Sequence, residues 1–168
     1  MIIAGVDPGT SPTIGIIDSE SGRISVFDEL SAATRINGRN TSQPVPELIR
    51  FALEESGVDL VCIEHVWMRP TGGAAAQGAV SQARLVSSMH LVWGVAVGLG
   101  IRVALVVPAT WKRHFHMRGG EKEDSRLKCL SVIPESAPFL MRKKDHNRAE
   151  SLLIARYGLD LYSHQAAA

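Results

Sequence analysis

Apolar positions come in short runs at the start of the chain and in longer ones later. Residues 1–6 (MIIAGV) form a compact apolar stretch stopped by Asp7-Pro8-Gly9-Thr10. Residues 13–17 and 23–27 are further strand-like runs separated by Ser, Asp and Gly turn chemistry, so the chain opens as an antiparallel meander. Residues 31–43 are polar, carry Asn37-Gly38 and read as a loop. After Pro44 and Pro46, residues 47–55 show helical spacing through Leu48, Phe51 and Ala52, and Ser56-Gly57 supplies the stop. Residues 59–66, DLVCIEHV, have the continuous apolar character of a buried strand. A Gly/Ala-rich connection over 67–78 leads into a long helix at 79–99 and a second buried strand at 102–107. Pro108 opens the next helix at a favoured early position. Residues 118–121 make a glycine-containing loop, 124–132 a helix, and 147–157 a last helix ended by Gly158. This order predicts an α/β fold: a mixed five-stranded sheet flanked by helices, one domain over residues 1–162, with 163–168 a flexible tail.

Composition narrows the class. Across 168 residues, 45% hydrophobic and 21% charged positions suit one globular domain with a real core. The opening residues have no basic segment or cleavage site, and the longest apolar stretch is broken by His90 and Arg102. A cytoplasmic protein with no membrane span is therefore expected. Cys62 and Cys129 are far apart and lack zinc or redox spacing, which makes them ordinary buried thiols. The net charge of +1 is no signature of nucleic-acid binding, but ten of the cations crowd between Lys112 and Arg148.

Acids placed where packing does not explain them carry the chemistry. Asp7 ends the first strand, where it serves either a turn or a ligand. Glu64 sits inside CIEHV, and a carboxylate in a central strand costs several kcal/mol unless paired or bound to a cation. Glu150 opens an otherwise apolar helical face, and at about 3.6 residues per turn His146 and Asn147 share its side. Asp145 is either the N-cap of that helix or a further ligand. Carboxylates from separate strands and a helix make a hard oxygen site for Mg²⁺, with Mn²⁺ able to substitute. Two such ions about 4 Å apart can activate a water and stabilise a leaving 3′ oxygen, without a covalent nucleophile or a nucleotide cofactor. GxSxG, GxxxxGK[ST] and HExxH are all absent.

Four segments in order, IIAGVDPGTSPTIGIID, CIEHVWM, VVPATWKRHF with RGGEK, and DHNRAESLLIA, resemble the RuvC-type Holliday junction resolvases of the RNase H-like superfamily. The match runs from Ile2 to about Tyr157. It implies an RNase H-like nuclease domain that resolves four-way junctions and other branched DNA by metal-dependent hydrolysis, as a homodimer. By that resemblance Asp7, Glu64 and Glu150 are metal ligands. The family's fourth ligand falls on Asn147, a poor cation ligand, which leaves Asp145 or His146 to complete the catalytic set. Trp67 stands where relatives carry an aromatic that stacks on bases at the branch point, and Lys112 and Lys122 match two phosphate-contacting lysines. Arg69, Arg113, Lys143, Lys144 and Arg148 join them as DNA contacts. The helix at 79–99, apolar nearly all round through Met89, Leu91, Val92, Trp93 and Val97, is the implied dimer interface. Competing readings are a debranching or RNA–DNA hybrid nuclease, a transposase-like strand transferase, and a non-catalytic binder of branched DNA. Asp-Pro-Gly-Thr also resembles the phosphate loop of sugar-kinase and actin-like ATPases, but 168 residues lack room for their second domain.

Overall fold

The computed structural model describes residues 1–36, 38–68, 76–117 and 122–162. The expected meander forms first: β1 (Ile2–Asp7), β2 (Thr13–Asp18) and β3 (Ile24–Phe27) pair antiparallel in sequence order. Next come β4 (Ser31–Ile36), β5 (Arg39–Pro44), α1 (Pro46–Glu55), β6 (Leu60–Glu64), α2 (Ala76–Gly98) and β7 (Arg102–Val106). The chain then continues through α3 (Pro108–His114), α4 (Lys122–Val132), a 3₁₀ helix (Pro134–Phe139) and α5 (His146–Tyr162). β6 and β7 add in parallel beside β1, so the main sheet runs β3-β2-β1-β6-β7. This is the mixed five-stranded, helix-flanked sheet that the hydrophobic pattern predicts.

Strand parity decides what each face holds. Ile3 of β1 and Leu60 and Cys62 of β6 enter one core with Leu152, Ile154 and Ala155 of α5 and Trp111 of α3. Ala4, Val6, Val61 and Ile63 enter the opposite core, with Ile49 and Leu53 of α1 and Met89, Val92 and Ala96 of α2. Period two therefore carries Asp7, at the end of the Ile3 series, and Glu64, at the end of the Leu60 series, onto the α5 face.

α5 presses unusually close to β1. A Cβ at Gly5 would run into the backbone of Ser151 and Ala155, and one at Gly15 would stand 2.8 Å from the Leu152 nitrogen. Gly158, expected to stop the last helix, lies inside it, and α5 runs on to Tyr162. A Cβ there would sit 2.6 Å from Cys62 Sγ, so this glycine serves helix-to-sheet contact and not termination.

The stretch 31–43, expected as a loop, instead forms the β4–β5 hairpin, with Gly38 at φ 76° in its turn. It lacks the alternating apolar face that marks a strand in sequence, which is why composition suggested a loop. The 3₁₀ helix is a further element without a periodic signal. Both cysteines are buried as expected, and burial pushes the Cys62 thiol up to about 12 and the Cys129 thiol up to about 11. No helix among the described residues is long and apolar enough to cross a membrane. The glycine loop expected at 118–121, the tail at 163–168 and Arg69 lie outside the described residues.

Candidate functional site

β1 and β6 are adjacent and parallel, with Val6 opposite Ile63, so their terminal residues Asp7 and Glu64 come side by side at one sheet edge. α5 runs antiparallel to β1: Gly158 packs near Ile3, while Ser151 and Ala155 cover Gly5. Its N-terminal turns therefore overhang the ends of the strands, and Glu150 points into the same place. Carboxylate oxygens of Asp7, Glu64 and Glu150 all lie within 4.8 Å of one another. Three acids separated by more than 50 residues each are gathered by ordinary βαβ connectivity and one close helix–sheet contact.

The electrostatics show what such a gathering costs. The Glu64 carboxyl is pushed up to about 7, first by burial and then by the neighbouring Glu150 carboxylate, against the lowering influence of Lys112 and Trp111. Lys112 Nζ of α3 lies 3.5 Å from Glu150 Oε1 and 5.0 Å from the centre of the Trp111 ring. The Trp111 indole N–H is fully buried. It favours the ionised form of Glu64 but finds no acceptor within normal hydrogen-bond distance among the described residues. The donor set is all oxygen, partly dehydrated and electron-rich, which fits a divalent hard cation.

α4 supplies a support that the sequence reading missed. Ser125 Oγ, buried, donates to Glu150 Oε1 at 2.7 Å and fixes the helix-borne acid. Its signal was available: Ser125 sits one turn before the buried Cys129, a hydroxyl on the apolar face of an otherwise polar helix.

Asp145, read in sequence as either an N-cap or a ligand, is not in the group of Asp7, Glu64 and Glu150. Its carboxylate accepts from the Arg142 backbone N–H at 2.8 Å and from the Arg142 guanidinium at 2.7 and 3.0 Å. Burial opposes its charge, but the Arg142 bonds outweigh that and hold the carboxyl below the usual carboxylate range. It sits immediately ahead of α5, and its side chain closes a loop instead of facing the strand ends. His146, the first residue of α5, is half-buried and is not a member of the trio either.

The expected DNA contacts divide. Trp67 is 45% exposed, its ring 5.5 Å from that of His65, and both line an open depression of about 330 Å³ that also includes Glu64 and Pro108. Arg113 and Lys144 are exposed, and Lys143 is exposed with its Nζ 3.2 Å from Glu123. Lys122 opens α4. Arg148 is engaged internally: Nε donates to Asp28 Oδ2 at 2.6 Å and Nη1 to the Phe139 carbonyl at 3.2 Å, tying α5 to the end of β3. Arg148→Ala should therefore lower stability by about 1 kcal/mol in a denaturant titration, an effect that Lys144→Ala should not show.

No family model matches the chain. A stretch of 67 residues, 39% of this chain, is 33% identical to the chloroplastic Holliday junction resolvase MOC1 of Chlamydomonas reinhardtii; the chain spans only 8% of that protein's length. In three dimensions it matches Thermus thermophilus RuvC in complex with a Holliday junction substrate, at TM-score 0.62 and 15% identity over 100% of this chain and 98% of that one. It matches another Thermus thermophilus RuvC structure at TM-score 0.61 and 15% identity, covering 99% and 97% of the two chains. The chain therefore has the fold of RuvC, a mixed five-stranded sheet of RNase H-like type with helices on both faces.

Proposed function

We propose that this protein is a divalent-metal-dependent endonuclease that resolves four-way junctions and related branched DNA. The observation that carries the reading is the convergence of Asp7, Glu64 and Glu150 within 4.8 Å at the ends of two parallel strands and a helix. The junction substrate of the RuvC structure with the same fold, and the resolvase name of the sequence relative, favour branched DNA over an RNA–DNA hybrid.

Asp7, Glu64 and Glu150 would hold Mg²⁺ or Mn²⁺, two ions per site. When bound, the ions supply water activation and stabilisation of the departing 3′ oxygen. The protein's own groups do the positioning. Ser125 holds the Glu150 carboxylate, and the Lys112 ammonium, 3.5 Å from Glu150, is placed to meet a phosphate entering beside the acids. Trp67, on the same rim as Glu64, offers a ring on which an unpaired base of any identity can stack, worth about 1–3 kcal/mol. His146, at the start of α5, is the candidate for steering water or protonating the leaving group. Lys122, Lys143, Lys144 and Arg113 would contact phosphates of the arms, while Arg148 acts mainly through its bond to Asp28.

Cutting two symmetry-related strands suits a homodimer. Support comes from α2, which exposes Trp93 and Val97, one turn apart, to solvent. Sedimentation velocity should find a dimer for the natural chain and a monomer for Trp93→Asp.

The test of the activity is cleavage with Mg²⁺ of a four-way junction, a flap, a linear duplex and an RNA–DNA hybrid. Preferred, symmetric cutting of the junction is expected. Preferred cutting of the hybrid would move the substrate, and metal-independent binding without cutting would leave a non-catalytic binder of branched DNA.

A further inference from the structure

α3 carries a donor that core packing does not use. Trp111 is fully buried in the core on the α5 face, with Cys62, Val106 and Leu153 in the same cluster. Its ring accounts for the burial, but its indole N–H does not, because Nε1 has no hydrogen-bond partner among the described residues. A buried N–H without an acceptor is costly and rare in native folds, and a phenylalanine would fill a core without one. The N–H therefore needs a reason of its own.

The path of the chain places that N–H. Glu64 pairs with Val106, the last residue of β7, and α3 starts two residues later at Pro108, which lines the same depression as Glu64. Trp111 follows one turn on, in the core of the face onto which Glu64 projects. Its neighbour Lys112 reaches to 3.5 Å from Glu150 Oε1 with the ammonium 5.0 Å from the centre of the Trp111 ring. The Glu64 carboxyl already feels the indole N–H, which favours its ionised form. Glu150 shows the finished version of such a contact: Ser125 Oγ of α4 donates to its Oε1 at 2.7 Å. Two acids of the trio thus each face a neutral donor from a neighbouring helix, one bond made and the other still open.

We propose that Trp111 is a positioning residue for Glu64, its indole N–H donating to one carboxylate oxygen when the acids close on a divalent cation and so turning the other oxygen toward the ion. Hydrogen bonds of this outer kind orient a ligand before the ion arrives, and losing one typically weakens metal binding by about 10–100-fold. The proposal rests on the reading of Asp7, Glu64 and Glu150 as a metal site.

The experiment follows the indole N–H itself, in protein labelled with ¹⁵N-tryptophan. The chain has three tryptophans, and Trp67→Phe and Trp93→Phe identify the other two signals, so the Trp111 signal is assigned without altering that residue. Titration with Mg²⁺ should move the Trp111 indole proton downfield, the direction of a strengthened hydrogen bond, over the same concentrations at which calorimetry records Mg²⁺ binding. Trp111→Phe keeps a ring beneath Lys112 and removes only the donor and some volume; it should bind Mg²⁺ about tenfold or more weakly. Ile133→Ala is the control for a loosened core: Ile133 is buried in the same cluster but at the opposite end of the sheet, beside Asp18 and Gly22. It should lower the thermal midpoint and keep the Mg²⁺ affinity. A Trp111 signal that does not move at saturating Mg²⁺, an unchanged affinity in Trp111→Phe, or an equal loss in Ile133→Ala would overturn the role of Trp111 and leave the metal site standing. Should Trp111→Phe not fold, the indole signal of the natural chain decides alone. A natural chain with no calorimetric Mg²⁺ binding would overturn the metal site and this role with it.

Discussion

Glu64→Gln should abolish junction cleavage, by at least about 10²–10³-fold, while making the metal-free protein more stable. The two effects share one cause. Glu64 is a partly buried carboxyl beside Glu150, pushed up to about 7 from an ordinary value near 4.5. An acid whose folded pKa lies above its unfolded one destabilises the fold as pH rises through that interval, because the unfolded chain releases its proton first. The metal-free natural chain should therefore lose stability between about pH 4.5 and 7 and stay at the lower level above it. A neutral amide of the same size removes that loss, worth up to about 3 kcal/mol at pH 8. Divalent cations should reverse the order, stabilising the natural chain and not the variant, with metal affinity falling as pH drops below about 7. Calorimetric melts at pH 5 and pH 8, with and without Ca²⁺, check the sign; a variant less stable than the natural chain at pH 8 without metal would contradict it.

Gly5→Ala should be the most damaging single methyl group in the chain. Gly5 lies in the middle of β1 and faces α5, where an added Cβ meets the Ser151 carbonyl and the Ala155 nitrogen, both backbone atoms that cannot rotate away. The helix must retreat, at a cost of about 3 kcal/mol or more. Since α5 also carries Glu150, the retreat pulls one acid from the trio. The expected result is a large drop in denaturation midpoint together with weaker metal binding in whatever folded fraction remains. Gly78→Ala, where nothing lies within 4 Å of the added atom, should do neither.

The sheet and the trio were legible in the sequence because they rest on strong local signals. Apolar runs ending in Asp7 and Glu64 mark strands, and acids interrupting apolar patterns have few structural explanations. The order of elements then brings β1 beside β6 by the usual crossover. What escaped was set by tertiary contact. Gly158 has the residue type of a helix stop but exists to admit Cys62. Asp145 reads in sequence as either an N-cap or a ligand, and only the fold shows that Arg142 occupies it. Arg148 belongs by sequence to a basic cluster, yet its partner Asp28 lies 120 positions away. The β4–β5 ribbon has a largely polar sequence and most of its described side chains are exposed, so no alternating apolar pattern marks its strands.

Metal-dependent cleavage requires that Asp7, Glu64 and Glu150, distant in sequence, bind a cation together. Crystals grown with Mn²⁺ and measured at its absorption edge test this directly. Anomalous peaks are predicted within about 2.0–2.3 Å of oxygens from Asp7, Glu64 and Glu150, with Asp145 still bound to Arg142. Millimolar Mn²⁺ giving no peak among those three carboxylates, or a peak held by other residues, would contradict it.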